Sequence, residues 1–104
     1  MSWNTVQVMV SWTTMDPGVR NCDSNTEYYA RQDIKVGQYL NCDDPSNTLP
    51  SIKVLEVKEE SLIIKVGERE ESEVIEPGRM YLLCKTGYNY AYFELEIRLL
   101  TRNN

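Results

Sequence analysis

The sequence of 104 residues contains no histidine. Histidine is the side chain whose ordinary pKa suits proton transfer near neutral pH, so Ser-His-Asp mechanisms, Cys-His mechanisms and imidazole-based zinc sites are excluded. The five glycines have the spacing of neither a dinucleotide fingerprint nor a P-loop, and the sixteen acidic residues form no recognisable catalytic motif. We therefore predict a protein that is not an enzyme and that binds no cofactor and no metal.

Long apolar segments and excess positive charge are also missing. No run approaches the roughly 18 apolar residues of a membrane span, and Met1 to Asn4 lacks the features of a signal peptide. Eleven basic residues face sixteen acidic ones, which gives a net charge of −5, so neither nucleic acid nor a membrane is expected as a partner. With 41% hydrophobic and 26% charged residues, the chain is expected to form one globular domain over residues 1–104.

Cysteine occurs three times, an odd number that is typical of free thiols in a reducing compartment, so we expect a cytoplasmic protein. Cys84 lies in an apolar run and is interpreted as a small buried residue. Cys22 and Cys42 each stand in the motif Asn-Cys-Asp, for which three interpretations remain open. They are a disulfide between these cysteines, ordinary turn residues, and a calcium site built from Asp23, Asp43 and Asp44. Turn residues are favoured, because the spacing of an EF-hand loop is absent.

Period-two alternation of apolar residues predicts a half-buried strand from Thr5 to Trp12. Residues 13–25 are predicted to form a loop around Asp16-Pro17-Gly18. Ser24 to Glu27 fits a helix capping box, which predicts one short helix near residues 25–33. Ile34 to Leu40 is predicted to be a strand interrupted at Gly37, followed by a loop over residues 41–50.

Strand patterns are clearer in the second half of the chain. Ser51–Lys58 and Leu62–Val66 should pair as a hairpin. The shift of the apolar pattern between Val54 and Leu55 predicts either a bulge or a strand that is buried on both faces. The remaining elements are, in order, a strand at Ser72–Ile75, a type II turn at Glu76–Arg79, and strands at Met80–Lys85 and Tyr90–Leu99. The predicted fold class is mostly β, an antiparallel β-sandwich or small barrel of about seven strands, with the sandwich preferred.

Tyrosine dominates the aromatic residues, with seven tyrosines and two tryptophans beside a single phenylalanine. Three tyrosines alternate along the C-terminal strand on the face opposite Phe93 and Leu95. Because tyrosine is enriched at interfaces, we interpret this row as a binding surface and include Tyr81 from the preceding strand. The alternative is that the rings lie under the 13–25 loop and stabilise the core. The candidate binding residues are Tyr88, Tyr90, Tyr92 and Tyr81.

Acidic residues are concentrated between Glu56 and Glu76, where eight glutamates and three basic residues give a net charge of −5. This stretch is predicted to keep turns and strand edges hydrated, and a docking surface for a basic partner is the alternative.

Three classes of function remain. The favoured one is a non-catalytic protein-interaction module that uses the Tyr-rich sheet face, with an acidic flank, to bind a protein partner or a second copy of itself. A β-sandwich domain that binds a small ligand or carbohydrate is the first alternative, and an enzyme that uses carboxylates or a thiol is the second.

Overall fold

The computed structural model describes residues 2–16, 19–40, 50–68, 70–86 and 92–101. It confirms the predicted fold class, a mostly β architecture with two antiparallel sheets and seven strands in the described ranges. The strands are β1 (Thr5–Asp16), β2 (Val19–Ala30), β3 (Ile52–Val57), β4 (Leu62–Val66), β5 (Glu73–Ile75), β6 (Tyr81–Thr86) and β7 (Tyr92–Leu100). No helix in the described residues is long and apolar enough to cross a membrane.

The two sheets pack face to face around one apolar core. The larger sheet has the strand order β2-β1-β7-β6 and the smaller sheet has the order β3-β4-β5. Each contributes alternate residues, because successive side chains on a strand point to opposite faces. The larger sheet supplies Val6, Val8, Val10, Leu95, Ile97 and Leu99 to the core, and the smaller one supplies Ile52, Val54, Leu62, Ile64, Val66 and Ile75.

The first half of the chain differs from its predicted structure, because β1 and β2 form a long hairpin in continuous register from Thr5↔Ala30 to Asp16↔Val19. The predicted loop over residues 13–25 is therefore wrong, apart from Pro17 and Gly18, which lie outside the described residues. The predicted helix near residues 25–33 is also wrong, and only a three-residue 3-10 turn follows the strand, at Arg31–Asp33. Ladder hydrogen bonds to β1 satisfy the backbone of this polar segment and outweigh its local preference for turns and caps.

Residues 34–40 are not the predicted strand. Gly37 adopts φ +90° in a turn, and the segment makes one bridge to β3, between Tyr39 and Lys53. Three backbone hydrogen bonds attach it there: Gly37 N–H to Val54 O, Val54 N–H to Gln38 O, and Leu40 N–H to Ile52 O, each 2.8 Å long. The segment thus covers the outer edge of the smaller sheet. Of the predicted loop that follows, residues 41–49 lie outside the described residues.

The predicted hairpin, the short strand after it and the turn before β6 are confirmed, with that strand beginning at Glu73 rather than Ser72. β3 and β4 pair as a hairpin whose register shifts between Val54 and Glu56, which is the predicted bulge around Leu55. The turn before β6 has Gly78 at φ +86° and a hydrogen bond from Arg79 N–H to Glu76 O, as a type II turn requires.

Both ends of the described chain meet beside the β3–β4 turn. Asn4 N–H donates to Leu100 O, and the Thr101 hydroxyl donates to Ser2 O. Trp3 is 1% exposed, and its indole N–H donates to Lys58 O over 3.1 Å. The Arg31 guanidinium lies 5.0 Å from the centre of the Trp3 ring and donates to the carbonyl oxygens of Trp3 and Glu59. We call these four residues, Trp3, Arg31, Lys58 and Glu59, the Trp3 clasp.

Candidate interaction surface

The larger sheet has an outer face that points away from the core. On each strand, the residues that alternate with the buried ones point to this face. The strand register aligns them in rows that run across the sheet. Across β2, β1, β7 and β6 the described rows are Tyr28–Gln7–Arg98, Thr26–Met9–Glu96–Leu82 and Ser24–Ser11–Glu94–Cys84. We refer to this surface as the outer face.

One end of the outer face carries large apolar side chains that are open to solvent. Tyr28 is 50% exposed and Leu82 is 45% exposed, and Met9 lies half-buried in the row between their strands. Met80, which precedes β6, is 41% exposed. Tyr28 lies at the β2 edge of the sheet and Met80 and Leu82 lie at the β6 edge, with Gln7, Met9 and the charged residues of β7 between them.

An ion pair stands among these apolar residues. Arg98 Nη2 lies 3.7 Å from Glu96 Oε2 and 3.2 Å from Met80 Sδ. The Glu96 side chain is only 15% exposed, against 48% for Arg98. The carboxylate is therefore packed between its neighbours on the sheet, while the guanidinium remains available at the surface.

The predicted tyrosine row is only partly within the described structure. Tyr92 begins β7, where its backbone pairs with Thr13 and Thr86, and its side chain lies outside what the structure describes. Tyr88 and Tyr90 also lie outside the described residues. Tyr81 pairs with Ile97 and packs half-buried against the core, so the structure places it on the inner face and not on the outer face.

The cysteine predictions have different outcomes. Cys84 is exposed on the outer face, so the prediction that it is buried is wrong. Its neighbours Leu83 and Tyr81 point inward instead, because the register of β6 against β7 pairs them with Leu95 and Ile97. Cys22 lies in β2 rather than in a loop, and its side chain is outside the described structure. Cys42 is outside it as well, and the disulfide remains untested.

Part of the acidic stretch borders an open groove at the end of the molecule that holds the Trp3 clasp. The groove has a volume of about 780 Å³ and is lined by Lys58, Glu59, Glu60, Ser61, Glu76, Pro77 and Gly78. A smaller recess of about 170 Å³ shares Gly78 with it and reaches Met80 and Arg98. The acidic groove therefore adjoins the apolar end of the outer face.

Other features of a reactive site are absent from the described ranges. Among those residues no polar or charged side chain is buried, and no cluster of three or more Cys, Asp or Glu side chains could hold a metal ion. The interpretations of Asp23, Asp43 and Asp44 as calcium ligands fall outside the part of the chain whose side chains are described.

Tyr28 and Leu82 were not identified by the sequence pattern. Tyr28 lay in the segment predicted to be helical, and Leu82 lies in a run that is apolar on both faces. The register of β2 and β6 is the signal that places both on the outer face. Comparison with known proteins supplies no further assignment, because no protein-family model, characterised protein or solved structure matches this chain.

Proposed function

We propose that the chain is a non-catalytic interaction module that binds a protein partner on the outer face of its larger sheet. The observation that carries the proposal is the group of exposed apolar side chains, Tyr28, Met80 and Leu82, on one sheet face. Interfaces combine apolar and polar side chains, with tyrosine, methionine and arginine enriched. Here the apolar side chains lie on either side of Arg98 and Glu96, and Ser24, Ser11 and Glu94 form the next row of the face.

The size of the outer face suits a reversible complex. Four strands at a spacing of ~4.8 Å give a width of ~19 Å, and the nine paired residues of β1 and β7 give a length of ~30 Å. The projected area of the face is ~600 Å². This is below the ~800 Å² that each partner buries in an interface of standard size and is in the range of transient complexes.

Charge indicates what kind of partner fits. The acidic groove adjoins the apolar end of the face, and the chain as a whole carries a net charge of −5. A protein segment with apolar side chains followed by basic residues would match both surfaces.

Tyr88, Tyr90 and Tyr92 are proposed to extend the same surface, and Tyr81 is proposed to support it from the inner face. We also propose a cytoplasmic location, from the odd number of cysteines.

The alternative of a site for a small ligand or carbohydrate has less support. Such sites are concave and lined by rings with a few convergent polar groups. In the two depressions beside the outer face, no aromatic ring contributes to the wall. A third depression, on the smaller sheet, includes Tyr39 in its wall. An enzyme remains the least supported alternative, because the sequence offers no histidine and no catalytic motif.

The proposal predicts that Leu82→Ser weakens partner binding with little loss of stability, because a side chain that is 45% exposed in the free protein contributes little to its core. Tyr90→Ser is expected to weaken binding in the same way if the tyrosine row belongs to the binding surface. The measurement is recovery of a partner from lysate of the source cell, followed by the dissociation constant of the purified pair. Val74→Ser is the matched control, because Val74 is 57% exposed on the other sheet.

Equal binding by all three variants would contradict the proposal. A large fall in the melting temperature of Tyr90→Ser with unchanged binding would show that the tyrosine row is part of the core. Sedimentation of the purified chain separates a further outcome. The partner is a second copy of the chain if the mass rises with concentration in the wild type but not in Leu82→Ser. That result would contradict the proposal of a basic partner but would support the outer face as the binding surface.

A further inference from the structure

The outer surface of the smaller sheet carries two lysines directly opposite each other. Lys53 of β3 pairs with Lys65 of β4, between the pairs Ile52↔Val66 and Val54↔Ile64. All four of those apolar residues are buried, so the lysines point away from the core. Directly opposed residues have Cβ atoms about 5 Å apart, and like charges at this separation destabilise a sheet.

The two lysines line a depression of about 330 Å³ whose other walls are Tyr39, Ser51, Leu55, Gly67 and Glu68. Its rim is held by backbone contacts. The bridge to Lys53 positions Tyr39, and Gly67 N–H donates to Ser51 O over 2.7 Å. A volume near 300 Å³ is at the lower end of the range for ligand sites, so only a small molecule fits.

Within the described residues, neither lysine of this depression takes part in the ion pairs Lys58–Glu56 and Arg98–Glu96. Glu68 lies on the rim of the depression but forms no ion pair with either lysine. Two half-buried lysines therefore face each other across β3 and β4 in a chain whose net charge is −5.

We propose that this depression binds a small phosphorylated compound. The phosphate dianion lies between Lys53 Nζ and Lys65 Nζ, where it removes the repulsion between the two ammonium groups. The Ser51 hydroxyl is available to donate a further hydrogen bond, and the Tyr39 ring, 52% exposed, offers a flat surface for the body of the ligand. The site lies on the sheet opposite the outer face and does not depend on the interaction module proposed above.

The test is a titration of the isotope-labelled protein with phenyl phosphate and, separately, with inorganic phosphate, followed by amide chemical shifts at constant ionic strength. We expect saturable shifts centred on Ser51, Lys53, Lys65 and Gly67. Phenyl phosphate should bind more tightly than inorganic phosphate if Tyr39 contacts the ligand body, and phenol at the same concentration should give no saturable shift. Equal affinities would overturn the role of Tyr39.

Three variants test the role of charge. Lys65→Gln should weaken phenyl phosphate binding by roughly tenfold or more, because a hydrogen bond to a charged group is lost. Glu68→Gln should strengthen binding, because a carboxylate no longer repels the dianion. Lys35→Gln, which removes an exposed lysine outside the depression, is the control and should leave the affinity unchanged. Shifts that do not saturate, or equal loss in Lys65→Gln and Lys35→Gln, would overturn the proposal and indicate unspecific ion screening.

Discussion

Trp3→Ala is expected to lower the free energy of unfolding by ~3 to 5 kcal/mol, the range for deleting a large buried aromatic side chain. Trp3 is 1% exposed and is among the largest fully buried side chains in the described structure. Its loss would also leave Lys58 O without its indole donor and Arg31 without the ring beneath its guanidinium. Denaturant unfolding followed by circular dichroism measures the change.

Trp3→Phe separates the contribution of the buried ring from that of the indole hydrogen bond. Phenylalanine retains most of the buried ring but removes the N–H that reaches Lys58 O, so a loss of ~1 to 3 kcal/mol is expected. An effect of Trp3→Ala below ~0.5 kcal/mol, the scale of ordinary surface substitutions, would show that Trp3 does not stabilise the core.

Leu95→Ala is expected to cost ~2 to 5 kcal/mol, the range for truncating a buried aliphatic side chain. Leu95 is 1% exposed and lies on β7 between Val10 of β1 and Leu83 of β6. Truncation therefore leaves a cavity in the middle of the larger sheet, where neighbours on both sides are held by ladder hydrogen bonds and cannot easily move to fill it.

Leu82→Ala is the matched control for this measurement. Leu82 belongs to the same pair of strands but is 45% exposed on the outer face, so its truncation should change stability by less than ~0.5 kcal/mol. Similar effects of the two substitutions would mean that the assignment of inner and outer faces in the β6–β7 pair is wrong.

The sequence predicts the fold best where one face of a strand is apolar and the other is polar. Val6, Val8 and Val10 on β1 alternate with Gln7 and Met9, Leu95 and Ile97 on β7 alternate with charged residues, and all five are buried as expected. β2, an edge strand of the larger sheet, offers no such pattern. Of its described inward-facing residues, Tyr29 packs against the core, but Asn25 and Glu27 are polar. Glu27 is exposed although it pairs with buried Val8. Asn, Asp and Ser in such a strand cannot be distinguished from turn residues by composition alone.

The candidate surfaces were harder to predict, because they depend on which alternate residues of neighbouring strands share a face. The run Met80 to Leu83 is apolar at every position, so periodicity does not show that Tyr81 and Leu83 point inward while Leu82 points outward. A one-residue change of register exchanges the two faces. The pairing of Lys53 with Lys65 likewise depends on the bulge around Leu55, which lies between this pair and the β3–β4 turn. Without the bulge, Lys53 would pair with a different residue of β4.

The pairing of β1 with β7 at the centre of the larger sheet has a consequence for the order in which the chain folds. Thr5 pairs with Leu100, so these neighbouring strands lie at opposite ends of the described sequence. Closing so long a loop has a high entropic cost, whereas the β1–β2 and β3–β4 hairpins close through short turns. Folding is therefore expected on a timescale of the order of milliseconds to seconds rather than microseconds. During synthesis β1 has an unpaired side until β7 leaves the ribosome, and that temporary edge is where non-native strand pairing with another chain can begin.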